Sequence, residues 1–222
     1  MFAVNGKSHD WTVSADRLGA LSWGQVAWSE MKCMGGAEIF GQGKSAEYVC
    51  QVIEGAVRSC KHLSDGRRQI SAFHLNGDIF GLENGNSHRF AAEAIIDSTV
   101  RILDRRSIDV AADTDLLVSH ELLDLTTESL QHAEDHMLLL GRKSSIERVA
   151  AFLLEMDRRL AARGIVTLPM TRRDIADYLG LTIETVSRTL SMLRDSGILR
   201  FQSETQRKIQ LLDRHRLAEL DC

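Results

Sequence analysis

Proline is nearly missing from this 222-residue chain, with Pro169 the single example. No window approaches eighteen uninterrupted apolar residues, which argues against a membrane-spanning helix. The first fifteen residues lack the basic-then-apolar layout of a secretion signal, so a cytoplasmic protein is expected. Cysteine is sparse and scattered: Cys33, Cys50, Cys60 and Cys222 form no C-x-x-C pair. That argues against the common zinc and dithiol patterns and leaves buried or free thiols in a reducing compartment. Only His132 and His136 stand four apart on an expected helix, and no third metal ligand accompanies them. No nucleophile–base pair stands out, so the expectation is a protein without catalytic residues, metal or cofactor. Internal repeats and low-complexity segments are absent as well.

What is present is the composition of a soluble globular protein, 44% apolar and 26% charged. The length allows one large or two modest domains. A net charge of −4 hides an asymmetry. Residues 141–222 carry 15 Lys and Arg against 11 Asp and Glu, whereas residues 1–140 carry 12 against 20. A mildly basic end on an acidic body suits a protein that touches DNA with that end.

The basic end contains the most informative stretch, TRRDIADYLGLTIETVSRTLSMLRDS, from Thr171 to Ser196. Thr171 and Asp174 stand in the relation of a capping box, and Ile175, Ala176 and Leu179 follow at helical spacing. Gly180 supplies the left-handed residue that ends a helix. Thr182 then starts a second helix with Ile183, Val186, Leu190 and Leu193 on one stripe. A small Ala176, a turn at Gly180 and a β-branched Val186 fit the helix-turn-helix. Glu184, Ser187 and Arg188 point away from that small core, where a recognition helix reaches base edges. An ordinary helical hairpin shares the spacing; the polar residue types on the outer face favour DNA.

Elsewhere the texture differs. The arm of residues 1–30 offers one short candidate helix, Ser14–Leu21, and three tryptophans, Trp11, Trp23 and Trp28, that suggest packing. From Trp28 to Leu103 short apolar runs alternate with glycine turns, which argues a small β-roll or jelly roll. Ser64-Asp65-Gly66 reads as a hairpin turn. In the strand after it, alternation puts Phe73 and Leu75 on one face and Ile70, Ala72 and His74 on the other. A short helix follows at Arg105–Ala112. Asp115 to Leu140 has no Gly or Pro, and Leu116, Leu123, Leu130 and Met137 repeat every seven residues. With small residues three places later, that stripe fits a dimer seam; a helix buried within one subunit is the other reading. Leu117, Leu122 and Leu125 are expected to cover the barrel. Gly141-Arg142-Lys143 reads as a hinge, Ser144 and Glu147 as the capping box of a helix running to Ala162, and Ile198–Phe201 with Lys208–Leu211 as a β-hairpin wing. Asp213–Leu220 closes the chain as a helix. The expected fold is α+β: an arm and β-roll (1–112), a dimerisation helix and hinge (113–141), and a winged helix-turn-helix domain (142–222).

This layout resembles the Crp/Fnr family of bacterial transcription regulators from about Lys32 onward. The resemblance is carried by LSDGRRQISAFHLNGDIFGLE, GRKSSIERVAAFLL and MTRRDIADYLGLTIETVSRTLSMLRDSGIL, the last two most similar to its FixK-type branch. It implies a homodimeric activator that works with RNA polymerase on genes of micro-oxic respiration or nitrogen fixation, at an inverted repeat close to TTGA…TCAA. An iron–sulfur oxygen sensor needs four thiolates, and residues 1–32 contain no cysteine. A cyclic-nucleotide site of the family pairs a Gly-Glu turn with Arg-Ser or Arg-Thr. Here Glu83 follows Leu82 and Arg89 precedes the bulky Phe90, a poor cradle for a phosphate. The FixK-type branch carries neither effector site, and its activity follows the amount of protein made. A ligand-gated regulator with a small molecule in the β-roll is the alternative.

For the DNA contacts, Glu184 is expected to accept from a cytosine amino group and Arg188 to donate to guanine O6 and N7, since residues four apart share a helix face. Ser187, by resemblance to the E-x-x-S-R motif, meets a thymine-side position. Thr171, Arg172, Arg173, Thr182, Thr185 and Lys208 are candidates for phosphate contacts. A serine at position 187 cannot be oxidised to a sulfenic acid, so no oxidation brake is expected beside Arg188.

Overall fold

The computed structural model describes residue 26 and residues 28–221. The helix expected at Ser14–Leu21, the packing of Trp11 and Trp23, and Cys222 lie outside the described residues.

Eight strands come first: β1 (Trp28–Cys33), β2 (Glu38–Phe40), β3 (Tyr48–Glu54), β4 (Val57–His62), β5 (Arg68–His74), β6 (Ile79–Phe80), β7 (Ala91–Ala94) and β8 (Ser98–Asp104). They form two four-stranded antiparallel sheets, ordered β1-β8-β3-β6 and β2-β7-β4-β5. Cys50, Val52 and Val100 of one sheet pack with Val57, Ala92 and Ala94 of the other to make the core of the roll. The β4–β5 turn closes as its residues predict, with Gly66 at φ +82° and the Leu63 N–H donating to the Arg67 carbonyl.

One detail of β5 departs from simple alternation. Ile70 and Phe73 are both buried in the core, although they stand three positions apart. Ser59 pairs with Ala72 and the next residue, Cys60, with Ile70, so Ser71 is the extra residue of a β-bulge. A bulge resets the phase of the pleat and brings both side chains to one face.

Two helices leave the roll, α1 (Arg105–Thr114) and α2 (Leu116–Arg142), each started by an aspartate, Asp104 and Asp115, whose side chain accepts a backbone N–H. Ile108, Ala111 and Val118 seat them on Val49 and Leu103. Along α2, Val118, Leu122, Leu125, His132, His136 and Leu139 turn inward at helical spacing. Leu117 does not cover the roll; it is exposed because it stands one residue, about 100° of helix, from Val118. On the outer face Leu116, Leu123, Leu130 and Met137 are 77%, 62%, 58% and 65% exposed. A helix with two apolar stripes has one stripe without a partner in a single chain.

The expected hinge moves. Gly141 continues α2, and the break falls at Lys143 and Ser144, both extended. Arg148 explains this: its guanidinium donates to the carbonyls of Leu140 (2.8 Å), Lys143 (2.8 Å) and Leu179 (2.9 Å). Captured carbonyls at a helix end offset the helical cost of glycine. Next, α3 (Ser145–Arg159) begins with the Ser144–Glu147 capping box and stops short of Ala162. The buried Asp157 carboxylate accepts the Gly164 N–H at 2.8 Å and pulls the chain back.

The remainder is β9 (Ile165–Thr167), α4 (Arg172–Leu179), α5 (Ile183–Asp195), β10 (Leu199–Phe201), β11 (Lys208–Leu211) and α6 (Arg214–Glu219). The wing is a three-stranded sheet, β10-β11-β9, since Lys208 pairs with Thr167. A three-residue strand such as β9 is too short to show a period. No described helix is long and apolar enough to cross a membrane.

Gly55, between β3 and β4, has φ +107°, and a Cβ there would collide with Ser98 Oγ and stand 2.7 Å from Ser98 Cα. Ser98 Oγ accepts the buried Ala56 N–H, so it is not free to move. Gly55→Ala is expected to cost roughly 3 kcal/mol or more in urea unfolding. A loss below about 1 kcal/mol would contradict this packing.

Candidate nucleic-acid interface

The helix pair is built as its residues dictate. Thr171 caps α4 by accepting the Asp174 N–H, while Asp174 Oδ2 accepts the Thr171 N–H (3.0 Å) and hydroxyl (2.7 Å). Both donors of Thr171 are thus committed to the helix start. At the other end Gly180 sits at φ +61°, and the Leu181 N–H returns to the Ala176 carbonyl at 3.0 Å. Thr182 caps α5 by accepting the Thr185 N–H at 3.2 Å. Ala176, Val186, Leu190 and Leu193 are buried between the helices.

Glu184, Ser187 and Arg188 are all exposed on α5, opposite that buried stripe. The Glu184 carboxyl is held below the usual carboxylate range by its own backbone N–H and by the Thr182 hydroxyl, with Arg188 and Arg173 adding to the effect. It is therefore an ionised acceptor. Ser187 and Arg188 line a shallow open depression with Ser191 and Met192. Arg173, Thr182 and Lys208 are exposed around the same end, and Thr185 is half-buried.

Arg172 is held in place. Its guanidinium lies 5.4 Å from the Phe201 ring centroid and donates to the Gln206 side chain at 3.2 Å, while Nη1 has no protein partner. Arg207 and Thr205 join it in a cleft between α4 and the wing. These wing residues carried no spacing signal, because a turn of polar residues reads as loop until the strands fold it back onto α4.

The two helical histidines have structural partners. His136 stacks on Tyr178, with centroids 4.2 Å apart, and bonds to the Tyr178 carbonyl at 2.9 Å. His132 lies 3.4 Å from Glu155. Burial would push the Glu155 carboxyl up, but His132 and Arg159 outweigh it and hold the group at about 2. A second trio, Cys60, His62 and Glu93, has donor atoms close enough for a metal. Glu93 already accepts Arg58 at 2.6 Å, and two arginines beside it make the spot unfavourable for a cation.

Residues 147–220 match the Crp-like helix-turn-helix domain, and residues 30–115 match the cyclic nucleotide-binding domain. The chain is 46% identical over 190 residues to the nitrogen fixation regulation protein FixK of Azorhizobium caulinodans, across 83% of this chain and 76% of that protein. It is 45% identical over 165 residues to the transcriptional activatory protein AadR of Rhodopseudomonas palustris, across 72% and 69%. The solved structure of FixK2 from Bradyrhizobium japonicum matches with a TM-score of 0.85 at 59% identity, over 88% of this chain and 98% of that one. The chain belongs to the Crp/Fnr family. Within that family it is a FixK-type, DNA-binding transcription regulator and not an enzyme.

The roll is the part of the chain that matches the cyclic nucleotide-binding domain, so its polar groups matter. Glu83 accepts the Arg89 N–H at 3.0 Å and the Arg89 guanidinium at 3.4 Å. Arg89 itself is exposed. Arg105 donates to the carbonyls of Gly85 and Glu83, both at 2.6 Å. Phe40 stacks on the buried His88 at 3.6 Å.

Cys33, Cys50 and Cys60 are buried. Burial pushes the Cys50 thiol up to about 12 and Cys60 to about 11, and raises Cys33 as well. Thiols of that kind are poor nucleophiles. In a Cys222→Ser variant, Ellman's reagent at neutral pH is expected to react with the three only over the time of unfolding, and in full after urea. Prompt labelling of the native protein would contradict the burial.

Proposed function

We propose that the protein binds as a homodimer to an inverted repeat of the TTGA…TCAA type and, with RNA polymerase, activates genes of micro-oxic respiration or nitrogen-fixation-linked metabolism, without a bound effector. The observation that carries this is the outer face of α5, where Glu184, Ser187 and Arg188 are exposed together beyond a well-capped helix start. Glu184 takes a cytosine amino group, Arg188 a guanine edge, and Ser187 a thymine-side position. Arg172, Arg173, Thr182, Thr185 and Lys208 contact phosphates. Thr171 serves through the helix cap. The activator role and the nitrogen-fixation link are supported by the likeness to FixK and AadR, and the link to micro-oxic respiration by the resemblance to the FixK-type branch.

The uncovered stripe Leu116, Leu123, Leu130 and Met137 supports the dimer, because a second copy of the stripe buries it and gives the two-fold symmetry of an inverted repeat. Effector independence is supported by the roll. Its residues do not fit a cyclic nucleotide: Glu83 is committed to Arg89, and Arg89 points to solvent beside Phe90. One observation favours the ligand-gated reading, since the buried His88 Nδ1 has no hydrogen-bond partner and stands 3.8 Å from Glu83. Calorimetry that found a small molecule tightening DNA binding would select it.

The deciding experiment titrates purified protein, in air and without additives, on a duplex carrying the repeat. Tight binding that discriminates against a scrambled duplex is expected; binding only with an added ligand or without oxygen would sink effector independence. Arg188→Ala is expected to lose ~1–3 kcal/mol on the repeat and flatten preference at the guanine. Equal loss on both duplexes would reassign Arg188 to the phosphates.

A further inference from the structure

The β4–β5 hairpin touches the helix-turn-helix through charges that base reading leaves unused. Arg58 on β4 and Arg68 on β5 are 15% and 16% exposed at the side chain, and Asp174 on α4 is 3% exposed. Asp174 Oδ1 accepts Arg58 Nη1 at 3.0 Å and Arg68 Nη2 at 2.6 Å. Asp177, one turn along α4, accepts Arg68 Nε at 2.9 Å and Nη2 at 2.7 Å. Behind them Glu93 on β7 takes Arg58 Nε and Nη2 at 2.9 and 2.6 Å, which aims that guanidinium. The other oxygen of Asp174 holds the Thr171 cap, so one carboxylate both starts α4 and docks it.

This contact works beside the packing of Tyr178 on Phe73 and His136 and the bonds from Arg148 and Gln69 to α4 carbonyls, and adds direction to them. The chain passes from α2 to α3 through the extended residues Lys143 and Ser144, where Arg148 ties the α2 end to the Leu179 carbonyl of α4. Planar guanidinium forks on carboxylates are directional, and these are shielded from water, where such pairs keep their strength. Glu184, Ser187 and Arg188 stay exposed with the clamp closed. A short turn ties α5 to α4, so whatever tilts one tilts the other.

We propose that Arg58 and Arg68 are positioning residues for DNA recognition. They fix the tilt of α4 and α5 against the β-roll, so that the two recognition helices of a dimer are preset for one half-site spacing with no ligand needed. The inference rests on the proposed reading of an inverted repeat by a dimer. Half-sites lie about one helical turn, ~34 Å, apart, and a small tilt in each subunit misplaces both helices.

The test is fluorescence anisotropy of the full chain on the repeat, on the repeat with one base pair inserted between its halves, and on a scrambled duplex, with circular dichroism as a check of folding. Wild type is expected to reject the inserted duplex. Arg58→Gln with Arg68→Gln is expected to weaken binding to the repeat about tenfold and to shrink the penalty of the insertion, because a freed unit adapts to either spacing. Asp177→Asn, which leaves the cap intact, is expected to shift both readings the same way and decides the matter if the double variant does not fold. A wild type that binds repeat and scrambled duplexes alike would overturn the functional reading and this inference together. A wild type that reads the repeat, with folded variants whose insertion penalty is unchanged, would overturn the clamp alone. Tighter binding by the variants would overturn it too, by making the contact inhibitory.

Discussion

The ring of Tyr178 is 2% exposed and meets side chains from three parts of the chain. Phe73 of the β-roll lies 5.0 Å from it, Phe152 of α3 6.0 Å and His136 of α2 4.2 Å, centroid to centroid. A buried aromatic of this kind contributes on the order of 2–3 kcal/mol by area, and its placement matters more than its size. It lets one apolar cluster run from Ile70 and Phe73 in the roll through α3 to Val186 and Leu190 in the helix pair. The DNA-reading unit is therefore packed on the roll, with charged contacts around the apolar centre giving direction to what burial alone leaves loosely oriented.

That arrangement separates the two faces of the helix pair. The inner face of α4 is satisfied by carboxylate, carbonyl and ring contacts to its own chain. The outer face of α5 keeps polar side chains free. Along α2 the same division appears in apolar form, with one stripe seated on the chain and the other uncovered. Both unfilled faces are the ones that DNA and a second subunit would cover, and neither is needed to hold a single chain together.

Much of this was legible in the residues. The capping pairs Thr171–Asp174 and Ser144–Glu147 sit where their spacing put them, because caps depend on neighbours within a turn. Gly180 and Gly66 adopt left-handed backbone for the same local reason. The heptad of α2 was visible because a helix fixes which residues share a face. Other features escaped. Ile70 and Phe73 share a face through a bulge that no sequence period announces. Gly141 stayed helical because Arg148, seven residues later, captured the carbonyls at the end of α2. Arg58 and Arg68 belong to no spacing pattern, yet they meet aspartates more than a hundred residues away.

The sequence by itself determined the main helices, the capping pairs Thr171–Asp174 and Ser144–Glu147, the polar outer face of α5 and the family resemblance, since these rest on patterns that repeat within a few residues. Only the tertiary structure decided how those elements hold one another. The partners of Tyr178, Arg58, Arg68 and Arg148 come from distant segments, and their pairing depends on strand register and helix phase together. An aspartate three residues after a threonine announces a helix start; that the same carboxylate also docks the helix onto a β-hairpin is visible only when the hairpin is there.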